Sequence, residues 1–171
     1  MPVIRCTTKL LAEIDDSVNP TPPDPSPFGD WYGHIFSIDR RKCIIFINEP
    51  TLFVCFAAGV TKAQYRNLTQ FFIDVLKSKL QTTSFTATEA DCILGFHADL
   101  MIGKTINRST MGSLNNRVID TKCMVEYFGG LEDCKEETVT TSLNKTPMKA
   151  IGYSNGLEKM KCLVAELMKK N

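Results

Sequence analysis

Trp31-Tyr32-Gly33-His34-Ile35-Phe36-Ser37-Ile38, then Asp39-Arg40-Arg41-Lys42, then Cys43-Ile44-Ile45-Phe46-Ile47, is the stretch that decides the fold. Two runs rich in aromatic and β-branched residues flank a short charged break, which is the pattern of a β-hairpin. With Arg40-Arg41 as a two-residue loop, Ile38 is expected opposite Cys43, Phe36 opposite Ile45, His34 opposite Ile47 and Tyr32 opposite Glu49. Ile35 and Phe46 fall on the other face. Both faces are apolar, so these strands are expected at the centre of a sheet covered on both sides. Asn48-Glu49-Pro50-Thr51 reads as the next turn, and Leu52 to Phe56 as a third antiparallel strand.

Outward from this meander, Val3 to Cys6 reads as a short strand, followed by a short helix over Lys9 to Ile14 capped by Thr7 or Thr8. Pro20, Pro22, Pro23, Pro25 and Pro27 then make the segment at about 15–30 an extended loop, because proline lacks the donor that helices and ladders need. A proline-reading partner domain is the alternative use of such a loop. Thr61 with Gln64, and Thr86 with Glu89, have the spacing of capping boxes. They predict a helix carrying Leu68 to Leu80 and a shorter one over Ala87 to Leu94. Ala98 to Thr105 reads as a strand, Thr110 to Phe128 as a long helix stopped by Gly129-Gly130, and Gly156 to Lys170 as a final helix. Val139 to Tyr153 reads as one or two edge strands. The expected architecture is α+β: an antiparallel sheet of four to six strands, including the Trp31–Phe56 meander, with about four packed helices in a single domain, 1–171.

Composition narrows function by exclusion. The 171 residues carry 20 Lys+Arg against 19 Asp+Glu, for a net charge of +1. That excludes a globally basic nucleic-acid coat and leaves room for a local anion site. The charge is segmented: Lys104 to Lys122 holds four basic residues against one acidic, and Leu131 to Glu137 four acidic against one basic. Seven cysteines without a CxxC pair, and an amino end without a leader-like apolar run, predict a soluble protein of the reducing cytoplasm. The longest apolar stretch is about half the ~20 residues of a membrane span, so no membrane partner is expected. With two histidines and no paired cysteines, no metal site and no cofactor are expected.

Candidate chemistry concentrates in four places. Gly103-Lys104-Thr105 lacks the earlier glycine of a phosphate loop, since that position is Ala98. Asn107-Arg108-Ser109 opens the long helix, where unpaired amides and Arg108 suit an anion; Ser113 and Asn116 follow on the same face. The alternative is that these residues merely cap the helix. Arg40 and Arg41 make a basic hairpin tip for an acidic partner or nucleic-acid phosphate. Trp31, Tyr32, Asn48 and Glu49 meet at the opposite end of the hairpin, as a pocket wall or as a hydrogen-bonded sheet corner. No nucleophile, base and orienting group are legible together, so no catalytic residue is assigned.

Arg5-Cys6-Thr7-x-Lys9-Leu10-Leu11, the blocks Trp31-Tyr32 and Ile38-Asp39-Arg40-Arg41-Lys42-Cys43, Asn48-Glu49-x-Thr51-Leu52, and Lys104-Thr105-x-Asn107-Arg108-Ser109-x-Met111-Gly112-Ser113-Leu114-Asn115 carry a resemblance. They resemble an uncharacterised group of bacterial proteins catalogued only as a domain of unknown function. That resemblance implies no activity. Asn116 stands where the family pattern has an acidic residue, and the prolines before Trp31 are a further departure. The expectation is a non-catalytic binding protein of bacterial or phage type, acting on another protein or a nucleic acid through a polar surface around Asn107–Asn116. One alternative is an enzyme for a phosphate-bearing or nucleotide-like small molecule held at Asn107-Arg108-Ser109. Another is a mobile-element protein that occludes a host complex.

Overall fold

The computed structural model describes residues 1–21 and 23–170; Pro22 of the proline stretch and Asn171 lie outside the described residues. Five strands form one sheet in the order β4-β3-β2-β1-β5. They are β1 (Val3–Cys6), β2 (Trp31–Ile38), β3 (Arg41–Asn48), β4 (Val54–Ala57) and β5 (Met101–Lys104). The meander β2-β3-β4 is antiparallel, as its tight turns require. β1 inserts between β2 and β5 and runs parallel to both, which makes the sheet mixed within an α+β fold.

The hairpin turn falls one residue earlier than expected. Asp39 (φ 49°) and Arg40 (φ 62°) are both left-handed, the backbone of a type I′ turn, whose twist matches that of the strands. Ile38 therefore pairs with Arg41, Phe36 with Cys43, His34 with Ile45, Tyr32 with Ile47 and Trp31 with Asn48. The register differs from the expected one by two residues. An even slip keeps every side chain on its expected face.

Alternation along these strands sorts the side chains into two cores. Trp31, Ile35, Ile44, Phe46 and Cys55 face one side with Ile4 and Ile102. There they meet α1 (Thr8–Leu11), α3 (Leu68–Thr82), α4 (Ala87–Phe96) and α7 (Gly156–Lys170) through Leu10, Phe72, Ile93 and Met160. Tyr32, Phe36, Ile45, Ile47, Val54 and Phe56 face the other side. That side is covered by α5 (Arg108–Tyr127) and α6 (Glu136–Lys145), through Leu114, Val118, Val125, Val139 and Leu143. Gly156 lets the first turn of α7 touch the chain after the β3–β4 turn: a Cβ there would sit 2.9 Å from the Leu52 carbonyl oxygen.

Both expected capping boxes form, at Thr61/Gln64 and Thr86/Glu89. The first opens only the short α2 (Lys62–Tyr65); Asn67 then caps α3 by accepting from the Gln70 amide. The strands expected over 139–153 are not formed. That stretch is α6 and a 3-10 turn, Lys149–Ile151. The β-branched run Thr138-Val139-Thr140-Thr141 suggests strand, but Val139 and Leu143, four apart, bury one helical face against the sheet. The edge of β4 is closed instead by a side chain. Asn144 accepts from the Val54 amide at 2.7 Å and donates to the Val54 carbonyl at 2.9 Å. Phe128, expected as the last residue of the long helix, lies just beyond its end and is exposed.

Candidate functional site

The start of α5 is tied to the sheet through Asn107. Its backbone N–H donates to the Tyr32 hydroxyl at 3.1 Å, and its Nδ2 donates to Glu49 Oε1 at 2.7 Å. Its Oδ1 accepts from the amides of Ser109 and Thr110, so Asn107 rather than Ser109 caps the helix. Three of the amides available at this helix start therefore already have protein partners. Burial, followed by the nearby Glu49 carboxylate, raises the Tyr32 phenol above its ordinary pKa, which keeps it neutral.

Tyr32, Glu49 and Asn107 are thus the expected residues that the fold brings together. Their geometry is that of a hydrogen-bonded sheet corner. Asn48, in register with Trp31, is fully buried on the other face, donating to the Phe28 carbonyl at 3.0 Å and accepting from the Thr51 hydroxyl at 2.7 Å. Trp31 is not part of the Tyr32–Glu49–Asn107 corner either. As the neighbour of Tyr32 on a strand it points to the opposite face, where its indole N–H donates to His97 Nε2 at 2.8 Å. His97 Nδ1 in turn lies 2.6 Å from the Ile93 carbonyl, a contact that requires Nδ1 to carry the proton. Burial lowers the His97 pKa to about 4, so the ring stays neutral.

Lys104, Arg108, Ser109 and Asn116 are exposed, whereas Ser113 is buried under α5. Arg40 and Arg41 lie at the far end of the hairpin, where Arg41 pairs with Glu132 at 3.1 Å. Asp39 accepts there from the Leu131 amide at 2.9 Å. The basic tip is docked onto the acidic loop after α5, and opposite charges from the two segments meet.

A second polar group escapes the sequence reading. Arg5 Nε pairs with Asp30 Oδ2 at 2.8 Å, and Asp30 Oδ1 accepts from the Val3 amide at 3.1 Å. The only sequence signal is one arginine inside the apolar run Val3-Ile4-Arg5-Cys6. Elsewhere Thr7 Oγ1 meets His34 Nδ1 at 2.9 Å. Burial, with Lys9 and Lys122 nearby, lowers the His34 pKa. Among the described residues no group of three or more His, Cys, Asp or Glu side chains is arranged as metal ligands. No helix among them is long and apolar enough to cross a membrane.

These features define an α+β domain with a mixed five-stranded sheet and a capped, sheet-anchored helix at its polar corner. The chain belongs to the family described as a domain of unknown function, DUF6933, which matches residues 3–159. No curated protein matches it.

Proposed function

We propose that this is a non-catalytic binding protein whose partner is another protein, contacted through the outward face of α5. The observation that carries this reading is a stripe at three- and four-residue spacing: Asn116, Ile119, Cys123 and Tyr127. Ile119 is 59% exposed and Tyr127 85%, with the Phe128 ring packed edge-on against Tyr127 at 5.3 Å. Single exposed apolar residues are ordinary, but several in line on one helix mark an interaction surface. Aromatic side chains are also enriched in protein interfaces.

Charge favours a protein over a nucleic acid. The exposed charges of α5 are Arg108 and Lys122 against Asp120 and Glu126, with no net positive stripe to follow a phosphate backbone. An anion at Asn107-Arg108-Ser109 would compete with contacts these amides already make, so the small-molecule enzyme reading gains no support there.

A photo-crosslinking residue at Asn116 tests the proposal, with one at exposed Lys77 on α3 as control. A discrete adduct from position 116, absent at 77 and abolished by Ile119→Asp with Tyr127→Asp, is the expected result. Matching adducts from both positions, or adducts indifferent to the two substitutions, would overturn it. Binding to RNA or DNA that weakens steeply with salt and requires Arg108 would replace the protein with a nucleic acid.

A further inference from the structure

One half of the sheet's second face carries no helix. α5 packs on β2 and β3, and α6 on β4. Over β1 and β5 the side chains on that side are Val3, Arg5 and Met101, together with the bare Gly103. The proline loop arches beside them instead. Val18 bridges to Ile102, and the Asn19 amide donates to the Ile102 carbonyl at 2.9 Å, which stitches the loop to the outer edge of β5. The result is a cavity of about 580 Å³, with a strand floor, a wall of Val18 to Thr21 and Pro23, and Lys104 and Ile106 at its rim. Small-molecule sites typically span about 300–1,000 Å³ and are mostly apolar with a few placed polar groups.

The polar group is Arg5. Its side chain is only 12% exposed and is held by Asp30 through Nε. Gly103 makes room for it: a Cβ there would lie 3.0 Å from Arg5 Nη1 and 2.8 Å from Val3 Cγ1. The guanidinium therefore lies across β5 and lines the cavity, with its Nη groups beyond the Asp30 contact. Among the described residues their one protein hydrogen bond is a long 3.5 Å contact from Nη1 to the Lys104 carbonyl. Lys104, in register with Cys6, shares the face of Ile102, so Arg5, paired with Asp30, is the cation on the floor of an otherwise apolar cavity.

We propose that this cavity binds a small amphipathic monocarboxylate. The carboxylate sits on the Arg5 Nη groups, and a short aliphatic or aromatic body lies along Val3, Met101 and Ile106. A single guanidinium already shared with Asp30 matches a monoanionic carboxylate; a phosphomonoester dianion would leave a negative charge unpaired against apolar walls. Prolines 20 and 23 contribute a wall of restricted backbone that loses little entropy on binding. Ile106 is 70% exposed, and such a ligand would cover it. This inference is independent of the α5 surface, because it uses side chains of β1, β5 and the proline loop and none of the α5 stripe.

Calorimetric titration with hydrocinnamate and octanoate tests it, alongside hydrocinnamamide and phenyl phosphate. Saturable one-to-one binding of a carboxylate is expected, with the amide weaker by about tenfold or more. Arg5→Met removes the Asp30 pair and endangers the fold, so exposed Val18→Glu and Ile106→Glu are the working variants. Each should weaken the carboxylate at least several-fold, with an unchanged melting temperature in the absence of ligand. No saturation at millimolar carboxylate, equal binding of acid and amide, tighter binding of phenyl phosphate, or indifference to both variants would each overturn the proposal.

Discussion

Acidification should destabilise the fold through His97. The ring is buried between α4 and the sheet, accepting from Trp31 at 2.8 Å and donating to the Ile93 carbonyl at 2.6 Å. A protonated Nε2 would face the indole N–H donor to donor, at a site closed to bulk solvent. Its pKa falls from the ordinary 6.5 to about 4. Above 6.5 both folded and unfolded chains hold a neutral ring, so stability is unaffected. Below 6.5 only the unfolded chain takes up the proton, and stability falls by ~1.4 kcal/mol per pH unit until the folded ring titrates near 4. The full loss is about 3 kcal/mol, a large share of the 5–15 kcal/mol typical of a domain. Trp31, the one tryptophan of the chain and fully buried, reports unfolding by fluorescence. Urea titrations from neutral pH to about 4 should show the midpoint falling with an unchanged m-value. His97→Gln keeps an acceptor for the indole and a donor for the carbonyl but takes no proton. His34 and the carboxylates are common to both proteins, so the difference in slope belongs to His97. Parallel loss of stability in wild type and His97→Gln would refute the argument.

Three further outcomes follow from the packing. Lys79 is 1% exposed and pairs with Glu136 at 2.5 Å, so Glu136→Ala should cost about 3–5 kcal/mol by stranding a buried ammonium. Adding Lys79→Met should recover part of that loss in a double-mutant cycle, and strict additivity would count against coupling. Asn144→Ala strips both partners from Val54 at the β4 edge. It should cost about 2–4 kcal/mol and promote concentration-dependent association by light scattering, since an open strand edge templates pairing. Arg40→Gly removes a left-handed non-glycine from the hairpin turn and should raise the melting temperature by a gain of about 0.5–1 kcal/mol. A lowered melting temperature would show that Arg40 makes a contact worth more than its strain.

Much of the fold is legible where local chemistry acts alone. Thr61/Gln64 and Thr86/Glu89 mark helix starts because the cap is a contact within four residues. The alternation from Trp31 to Ile47 assigns faces correctly even with the turn misplaced, because parity survives an even slip. What escapes the reading is what distant segments decide. Val3–Cys6 reads as a strand, but nothing in four residues says that it inserts between β2 and β5. The run around Val139 has strand-like residues and becomes helix because the exposed face of β4 needs a cover and its edge needs Asn144. At the site, the Asn107–Glu49 contact joins residues 58 positions apart and could be expected only as a shared end of the sheet.

The same alternation explains why the polar corner and the cavity are different places. Trp31 and Tyr32 are neighbours in sequence, yet one side chain belongs to each core. Tyr32 draws Asn107 over the second face and sets where α5 begins. From that anchor α5 runs along β2 toward the hairpin tip, where the Gly130 backbone meets Asp39. The helix is thereby committed to the β2–β3 half of the sheet and leaves the β1–β5 half without one. Val3 and Arg5 lie on that uncovered half because β1 alternates in phase with β2, Ile4 beside Trp31 and Arg5 beside Tyr32. A charged residue in the middle of a central strand would be a burial penalty under a helix. Here it has a carboxylate partner on one side and an open cavity on the other. The hydrogen-bonded corner thus fixes the helix whose absence over β1 and β5 opens the cavity.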